Sequence, residues 1–293
     1  MIAVQGLRKE YGGFVAVEDL SLSVEQGEVF GIVGPNGAGK TTTLKMLAGL
    51  LEPTAGTASV AGFDAADPEM RRHLGFLPEE SPLYEEMTAL SYLSFFADLY
   101  DVPRDVADER ITRALDRLEL QHRHRKLGDT SKGMKRKVAI ARALVNDPDV
   151  LILDEPASGL DPRTTNYVNE FVGELAHRGK TVVFSAHNLY HVEDVCDRVA
   201  IMNEGRVVAR GSLQSIRERF GVTEYHVYAT VPVHGSVQRN GHHVCVVDTY
   251  DEIDSVRDAA AAAGGTVVDV RTEGSSLEEI FLQLAGTSPG AGA

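Results

Sequence analysis

The chemistry suggested by this sequence centres on residues 34–42, which read GPNGAGKTT. This spacing, G-x-x-x-x-G-K-[ST], is typical of a loop that binds phosphate groups. Its glycines allow successive backbone N–H groups to point at one anion, and the positive end of the following helix dipole faces the same place. We expect Lys40 to reach the outer phosphates and the Thr41 hydroxyl to be a ligand for Mg²⁺. An ordinary glycine-rich turn is the alternative interpretation.

Two acidic residues and a histidine stand at the ends of other predicted strands. Asp154 and Glu155 follow the apolar run at 150–153, and His187 ends the run that begins at 181. The carboxyl ends of parallel strands meet at the ligand-binding edge of an open α/β sheet. There Asp154 suits Mg²⁺, Glu155 suits polarisation of a water that attacks a γ-phosphate, and His187 suits orientation of that water. An ordinary acidic turn and a surface histidine are the alternatives.

These residues require a particular set of elements to position them. An apolar strand at 29–33 enters the phosphate loop and a helix at 42–48 leaves it. Strands alternate with helices again from residue 150 to residue 202, whereas residues 1–30 alternate apolar and polar positions as antiparallel strands do. The pattern predicts an α/β fold, namely a P-loop NTPase core with an N-terminal antiparallel β subdomain.

The rest of the chain divides into a helical insert and a second domain. Residues 80–147 have helical periodicity and are expected to interrupt the core, which spans residues 1–220. Within that core, one of the predicted helices runs through Cys196. Residues 222–286 are predicted to form a small C-terminal α+β module, and the Gly/Ala/Ser/Pro tail at 287–293 is expected to be disordered.

Length and composition restrict the class of protein. The chain has 293 residues, of which 43% are hydrophobic and 25% charged, as expected of a folded rather than a disordered protein. No apolar run reaches the roughly 18 residues that a membrane helix needs, so we expect no membrane span in this chain. The net charge of −14 argues against binding to nucleic acid. The acidic balance fits either a cytoplasm of high ionic strength or an ordinary acidic bacterial protein.

Further motifs stand in a definite order around these residues. Tyr11 precedes the phosphate loop, and the segments 75–79 and 130–134 follow it. The acidic pair comes next, then residues 158–161 (Ser-Gly-Leu-Asp), and finally His187. This order, over about residues 2–220, resembles the nucleotide-binding domain of the ATP-binding-cassette (ABC) ATPases.

The resemblance implies roles for individual residues. ATP and Mg²⁺ are the implied cofactors, and ATP hydrolysis is the implied reaction. The implied catalytic residues are Glu155, His187 and Lys40. The implied Mg²⁺ ligands are Thr41, Glu79 and Asp154. The implied nucleotide-binding residues, contributed partly by a second subunit, are Tyr11, Val17, Gly34, Asn36, Gly37, Ala38, Gly39, Lys40, Thr41, Thr42, Ser131, Gly133 and Asp161.

Two positions depart from the common pattern of this family. Glu79 stands where most members carry glutamine, and the segment 130–134 reads TSKGM rather than LSGGQ, so Lys132 replaces a glycine. The basic run that begins at Lys132 has a solvated helix face as its alternative interpretation. Both departures, and the ending at 274–282, look like the single-cassette subunits of exporters of drugs, sodium ions or polysaccharides.

The resemblance also implies partners. A chain without a membrane span would power a separately encoded integral membrane permease, as a cytoplasmic subunit peripheral on the inner face of the cell membrane. Two ATP-binding subunits, identical or different, would close around ATP so that Ser131 and Gly133 of one complete the site of the other. The alternatives are a soluble cassette ATPase that acts on the ribosome or on nucleic acid, and a regulatory module that binds ATP without hydrolysing it.

Overall fold

The computed structural model of the protein describes residues 1–187, 192–221, 223–239, 241–284 and 286. Contacts along the chain divide it into two compact units, Met1–Leu213 and Gln214–Ala293. This division falls a few residues before the domain boundary that the composition suggested. The tail for which we expected disorder, 287–293, lies outside the described residues.

The first unit contains a four-stranded and a six-stranded sheet together with the helices that flank them. Its strands are β1 (Ile2–Tyr11), β2 (Phe14–Val24), β3 (Val29–Val33), β4 (Ala55–Val60), β5 (Phe63–Asp64), β6 (Leu74–Leu77), β7 (Val150–Leu153), β8 (Thr181–Ala186), β9 (Arg198–Asn203) and β10 (Arg206–Gly211). Its helices are α1 (Lys40–Leu47), α2 (Ala89–Leu99), α3 (Arg104–Arg117), α4 (Lys132–Ala143) and α5 (Pro162–His177).

The six-stranded sheet brings together the ends of the strands that precede the phosphate loop, the acidic pair and His187. Its order is β10-β9-β3-β8-β7-β6, with β10 antiparallel to β9 and the other pairs parallel. The strands β3, β7 and β8 are buried along their whole length, as expected where both faces of a parallel sheet are covered. Val33 of β3 pairs with Ala186, and Leu153 of β7 pairs with Phe184. The residues that follow these strands therefore lie at one edge of the sheet.

The N-terminal strands form the predicted antiparallel sheet. Its order is β2-β1-β4-β5, and β1 pairs antiparallel with both β2 and β4. The alternation in β2 buries Leu20, Leu22 and Val24, as predicted. These side chains belong to one hydrophobic cluster with Phe30 and Ile152 of the larger sheet. The cluster joins the two sheets into one body, and the α/β core with its antiparallel subdomain is confirmed.

The segment between β6 and β7 contributes the helices α2, α3 and α4. The helical periodicity expected of residues 80–147 is present in α3, where Ile111 and Leu115 are buried on one face, and this face continues to the buried Leu118. Thr88 and Ser91 form a capping box at the start of α2, and the Ser131 hydroxyl accepts a hydrogen bond at the start of α4. In the part of the chain that the structure describes, none of the helices combines the length and hydrophobicity of a membrane span.

The second unit is a small α+β body. Helix α6 (Leu213–Phe220) begins at the division between the units. The elements that follow are β11 (Thr223–Ala229), β12 (Val237–Arg239), β13 (His242–Val247), α7 (Tyr250–Ala262), β14 (Val267–Gly274) and α8 (Leu277–Leu284). The strands form a four-stranded antiparallel sheet in the order β12-β13-β11-β14, with a buried cluster of Val227, Cys245, Ile253 and Val256.

The helix predicted through Cys196 is described only in part. Of the helix expected through Cys196, the described residues 192–196 form one turn, closed by a 2.9 Å bond from the Cys196 N–H to the Val192 carbonyl. Residues 188–191 lie outside the described part. The turn ends because Asp197 pairs with the start of β3: its N–H donates to the Val29 carbonyl at 2.9 Å, and its carboxylate accepts the Val29 N–H at 2.8 Å.

Candidate functional site

The phosphate loop takes a conformation that two of its glycines make possible. Gly39 has a φ of +97°, a left-handed backbone conformation that is unfavourable for residues with a Cβ atom. A Cβ atom at Gly39 would lie 2.5 Å from the Ala16 carbonyl oxygen, and one at Gly34 would lie 2.4 Å from the Met202 carbonyl oxygen. The loop can therefore pack closely against β2 and β9 while its N–H groups precede helix α1.

Lys40 lies at the first position of α1 and folds back over the loop. Its side chain is 7% exposed, and its ammonium donates to the carbonyl of Gly34 at 2.8 Å and to that of Pro35 at 3.2 Å. The same Nζ atom lies 3.6 Å from Oε1 of Glu155. The lysine is thus held by main-chain carbonyls within reach of an anion in the loop, with a carboxylate beside it.

Asp154 follows β7 and is almost completely buried, with 1% of its surface exposed. The Ser185 hydroxyl donates a 2.6 Å hydrogen bond to its Oδ1 atom. Its Oδ2 atom is buried and has no hydrogen-bond partner among the described residues. A buried carboxylate oxygen without a donor is costly, so this atom is suited to an additional positive ligand.

Glu155 stands in a strained backbone conformation, with a φ of +49° in a residue that is not glycine. Its Oε2 atom lies 2.8 Å from Nδ1 of His187, within hydrogen-bond distance. Its N–H donates to the Ser185 hydroxyl oxygen at 2.9 Å. Since Oε1 faces Lys40, this one carboxylate bridges the lysine of the phosphate loop and the histidine at the end of β8.

An open pocket of about 420 Å³ lies over the phosphate loop. Glu155 lines it opposite the loop, and Phe14 lines it beside Tyr11. Both aromatic rings are exposed, Tyr11 by 47% and Phe14 by 66%. Val17 is fully buried beneath the loop, against Gly39. The predicted residues that line this pocket are Tyr11, Asn36, Gly37, Ala38, Gly39, Lys40, Thr41, Thr42, Glu79 and Glu155.

Five of the predicted nucleotide-binding residues do not line this pocket. Val17 and Gly34 pack close to the phosphate loop, as described above, whereas Ser131, Gly133 and Asp161 lie on other elements. The Ser131 hydroxyl caps α4 by accepting the Met134 N–H at 3.2 Å. Gly133 lies in the first turn of α4, where a Cβ atom would be 3.9 Å from the Leu160 side chain. Asp161 caps α5, and its hydrogen bonds from Thr164 hold the pKa of that carboxyl below its usual value. Within one protomer these last three residues form a separate face.

Three contributing residues were not identified from the sequence: Phe14, Ser185 and Arg136. Arg136 belongs to the basic run of α4, and the solvated-face interpretation is wrong for it because only 8% of its surface is exposed. It occupies the face of α4 that also buries Ala139, Ile140 and Ala143. The sequence feature that could have identified Arg136 as buried is its spacing, because this charged residue falls on the same face of the helix as several apolar residues.

The donor set of this site fits a hard divalent cation that binds few protein ligands. Among the described residues, no group of three or more His, Cys, Asp or Glu side chains is arranged to hold a metal ion. Mg²⁺ commonly uses only one or two carboxylates and takes its other ligands from water and substrate phosphates. The Oδ2 atom of Asp154, which lacks a hydrogen-bond partner among the described residues, meets that requirement, and Thr41 lines the phosphate pocket.

The comparisons with known proteins agree with this geometry. A family profile described as "ABC transporter" matches residues 17–158. The chain is 44% identical over 207 residues to the ABC transporter ATP-binding protein NatA of Bacillus subtilis, covering 69% of this chain and 84% of that protein. It is 35% identical over 301 residues to the Nod factor export ATP-binding protein I of Burkholderia pseudomallei, covering 97% of each.

A similar fold is found among solved structures. A dimeric ATP-binding cassette in a post-hydrolysis state, bound to ADP and Pi, superposes with a TM-score of 0.66 at 27% identity. The superposition covers 73% of this chain and 99% of that cassette.

Proposed function

The chain belongs to the ATP-binding subunits of ABC transporters, and from that membership we propose how its residues couple ATP hydrolysis to export. The protein is an ATPase of the exporter type. The observation that carries the residue assignment is the position of the Glu155 carboxylate, 3.6 Å from the Lys40 ammonium on one side and 2.8 Å from the His187 ring on the other.

In this proposal the loop at 34–42 binds the phosphates of ATP. Lys40 reaches the outer phosphates, where its charge stabilises the negative charge that develops during transfer. Tyr11 stacks on the adenine; its exposed ring at the rim of the pocket supports this role. Val17 supports the loop from below, and the N–H groups of residues 36–42 supply the remaining donors.

Glu155 polarises the water that attacks the γ-phosphate. Support comes from its burial beside Lys40, which places a carboxylate at the phosphate pocket without direct solvent screening. His187 orients the carboxylate through its Nδ1 atom and presents the other side of its ring to the γ-phosphate. The strained backbone of Glu155 is consistent with a residue held in place for chemistry.

Mg²⁺ would be held by Asp154 and Thr41, with Glu79 as a further oxygen donor. When bound, the metal neutralises charge on the β- and γ-phosphates. The side chain of Glu79 lines the same pocket as the phosphate loop. A carboxylate there adds negative charge that the common glutamine lacks, so we expect Glu79 to bind the metal more strongly and to repel nucleotide in its absence.

Two protomers complete the site together. Ser131 and Gly133 lie at the exposed N-terminal end of α4, where the helix dipole favours an anion. We assign to this end the γ-phosphate bound by the partner subunit, with Asp161 on the neighbouring face. The dimeric state of the similar solved cassette supports the arrangement. The partner is a second ATP-binding subunit, identical or different.

The ATP-driven motion of this dimer is transmitted to an integral membrane permease. The relative that matches over 97% of both chains is named for Nod factor export, which supports export as the direction of transport. In this proposal the permease binds near Glu79 and the helices α2 and α3, on the inner face of the membrane. We assign an accessory role to the C-terminal module, which the sequence predicts at 222–286.

The decisive experiment replaces Glu155 with glutamine, which keeps the shape and removes the charge. We expect ATP to bind with nearly unchanged affinity while turnover falls by about 10²–10⁴, because the water loses its base. An ATP-bound dimer should accumulate and be visible by size-exclusion chromatography. Glu204→Gln is the control, since Glu204 has a similar φ of +46° but lies in an exposed hairpin turn. Turnover of Glu155→Gln equal to that of the control would refute the assignment.

A further inference from the structure

Arg136 makes an unusual set of contacts from the middle of α4. An arginine carries five N–H groups, and here each of them has a main-chain carbonyl as its acceptor. Nε donates to Pro156 at 3.1 Å, Nη1 to Pro78 and Glu79 at 2.9 Å each, and Nη2 to Asp154 and Glu155 at 2.7 Å each. All N–H donors of the guanidinium are thus hydrogen-bonded to the main chain.

These carbonyls belong to two separate segments of the site. Pro78 and Glu79 follow β6, whereas residues 154–156 follow the neighbouring strand β7. Each segment carries carboxylates of the nucleotide pocket, and Arg136 reaches both from a third element. One side chain therefore fixes the relative positions of two acidic loops and of helix α4.

The charge of Arg136 is retained at neutral pH. Burial lowers the pKa of its guanidinium to about 10, while the nearby carboxylates of Asp154, Glu79 and Glu155 oppose that decrease. Hydrogen bonds from a charged donor contribute to stability, so the stability of each Arg136 variant has to be measured beside its turnover. Because the five acceptors lie on two loops of the site, the same bonds also fix the positions of those loops.

The contact also links this site to the end of α4 that carries Ser131. Arg136 lies five positions after Ser131, which along a helix is about 7.5 Å. A helix over this distance moves as a rigid body, so a displacement of its N-terminal end displaces the guanidinium. The carbonyls of Glu155 and Glu79 accept hydrogen bonds from the guanidinium, so such a displacement would shift them directly.

We propose that Arg136 is a positioning residue that couples the N-terminal end of α4 to the Glu155 and Glu79 loops, so that engagement of Ser131 by the partner's nucleotide aligns the hydrolytic carboxylate. This inference rests on the proposed function, because it assumes the roles given above to Ser131 and Glu155. It adds a residue that touches neither the nucleotide nor the water.

The test uses the full-length chain with Arg136→Lys and Arg136→Gln. Lysine keeps the charge but has three N–H donors, and the glutamine amide has two, so neither can bind all of the carbonyls. We expect kcat to fall roughly 10-fold with lysine and nearer 100-fold with glutamine, the range typical of residues that orient a catalytic group. KM and the affinity for a fluorescent ATP analogue should stay nearly unchanged, because the phosphate loop does not contact Arg136.

Arg142→Gln is the matched control on the same helix. Arg142 donates to the Tyr92 hydroxyl at 3.0 Å and lies over the Phe96 ring, away from the nucleotide pocket. We expect it to lower the melting temperature without a matching loss of kcat. Each kcat is measured at the same interval below the melting temperature of its variant, which removes the effect of stability alone.

A second measurement addresses coupling directly. In the Glu155→Gln background, ATP-dependent dimer formation is compared with and without Arg136→Lys. We expect the added substitution to raise the dimer dissociation constant about 10-fold at saturating ATP, since α4 is no longer held in register with the site. The same comparison with Arg142→Gln should give no such increase.

The outcomes separate the two proposals. Wild-type turnover in Glu155→Gln would overturn the proposed function, whatever Arg136 does. If Glu155→Gln is inactive but Arg136→Lys matches the Arg142→Gln control in kcat and in dimer formation, the inference about Arg136 alone is overturned. Should Arg136→Gln fail to fold, the lysine variant decides the question by itself.

Discussion

Ser185 connects the two acidic residues of the site through a single hydroxyl group. Its O–H donates to Oδ1 of Asp154 at 2.6 Å, and its oxygen accepts the N–H of Glu155 at 2.9 Å. Ser185 is 1% exposed, so water does not readily replace these bonds. Ser185→Ala would leave both oxygens of the Asp154 carboxylate without a hydrogen bond within the described part of the chain.

The size of the effect follows from the groups that lose partners. A hydrogen bond to a charged group contributes about 1.5–3 kcal/mol, and a buried N–H without an acceptor costs about 1–3 kcal/mol. Because the two contributions involve one hydroxyl group and are not fully additive, we expect the free energy of unfolding to fall by about 2–4 kcal/mol. We expect turnover to fall roughly 10–100-fold, because the orientation of both carboxylates depends on this hydroxyl.

Stability and turnover must be measured separately. The chain contains no tryptophan, so urea unfolding is followed by circular dichroism, and turnover by phosphate release. Thr181→Val is the matched control, because Thr181 is fully buried at the opposite end of β8 and its hydroxyl accepts the Gly27 N–H at 3.0 Å. The control should lose about 1–3 kcal/mol of stability with little change in turnover. Equal turnover in the two variants would refute the role given to Ser185.

Other substitutions test the loop and the helix ends. Gly39→Ala should cost about 1–3 kcal/mol, because its φ of +97° disfavours a side chain and a Cβ atom would lie 2.5 Å from the Ala16 carbonyl oxygen; thermal melting measures this. ATP at 100 times its Kd should stabilise the protein by about 2.7 kcal/mol, and Lys40→Met should remove that shift in a melting assay. A shift that persists would place the nucleotide elsewhere. Ser131→Ala should cost about 1 kcal/mol through loss of the bond to the Met134 N–H and should weaken the ATP-dependent dimer, whereas Ser131→Thr should retain both. A dimer of wild-type strength in the alanine variant would contradict the assignment of α4 to the partner's phosphate.

The local sequence pattern was sufficient to predict the phosphate loop and the strands beside it. The loop needs glycines at fixed positions and a lysine at the start of a helix, and these requirements are met by neighbours in the chain. The buried strands at 29–33 and 150–153 were recognisable because parallel strands covered on both faces are continuously apolar. The end of the helix predicted through Cys196 could not be located from the sequence, because it depends on the pairing of Asp197 with β3, far away along the chain.

The supporting contacts of the site were decided by tertiary structure. The acceptors of Arg136 lie between 18 and 58 residues away along the chain, on loops that meet only because β6 and β7 are neighbours in the sheet. Ser185 likewise meets Asp154 because β7 and β8 pair in one particular register. The sequence alone identifies the residue types that can bind a nucleotide and activate water. Which backbone groups hold them in place depends on strand order, because hydrogen bonds reach only about 3 Å and must find their partners in the folded chain.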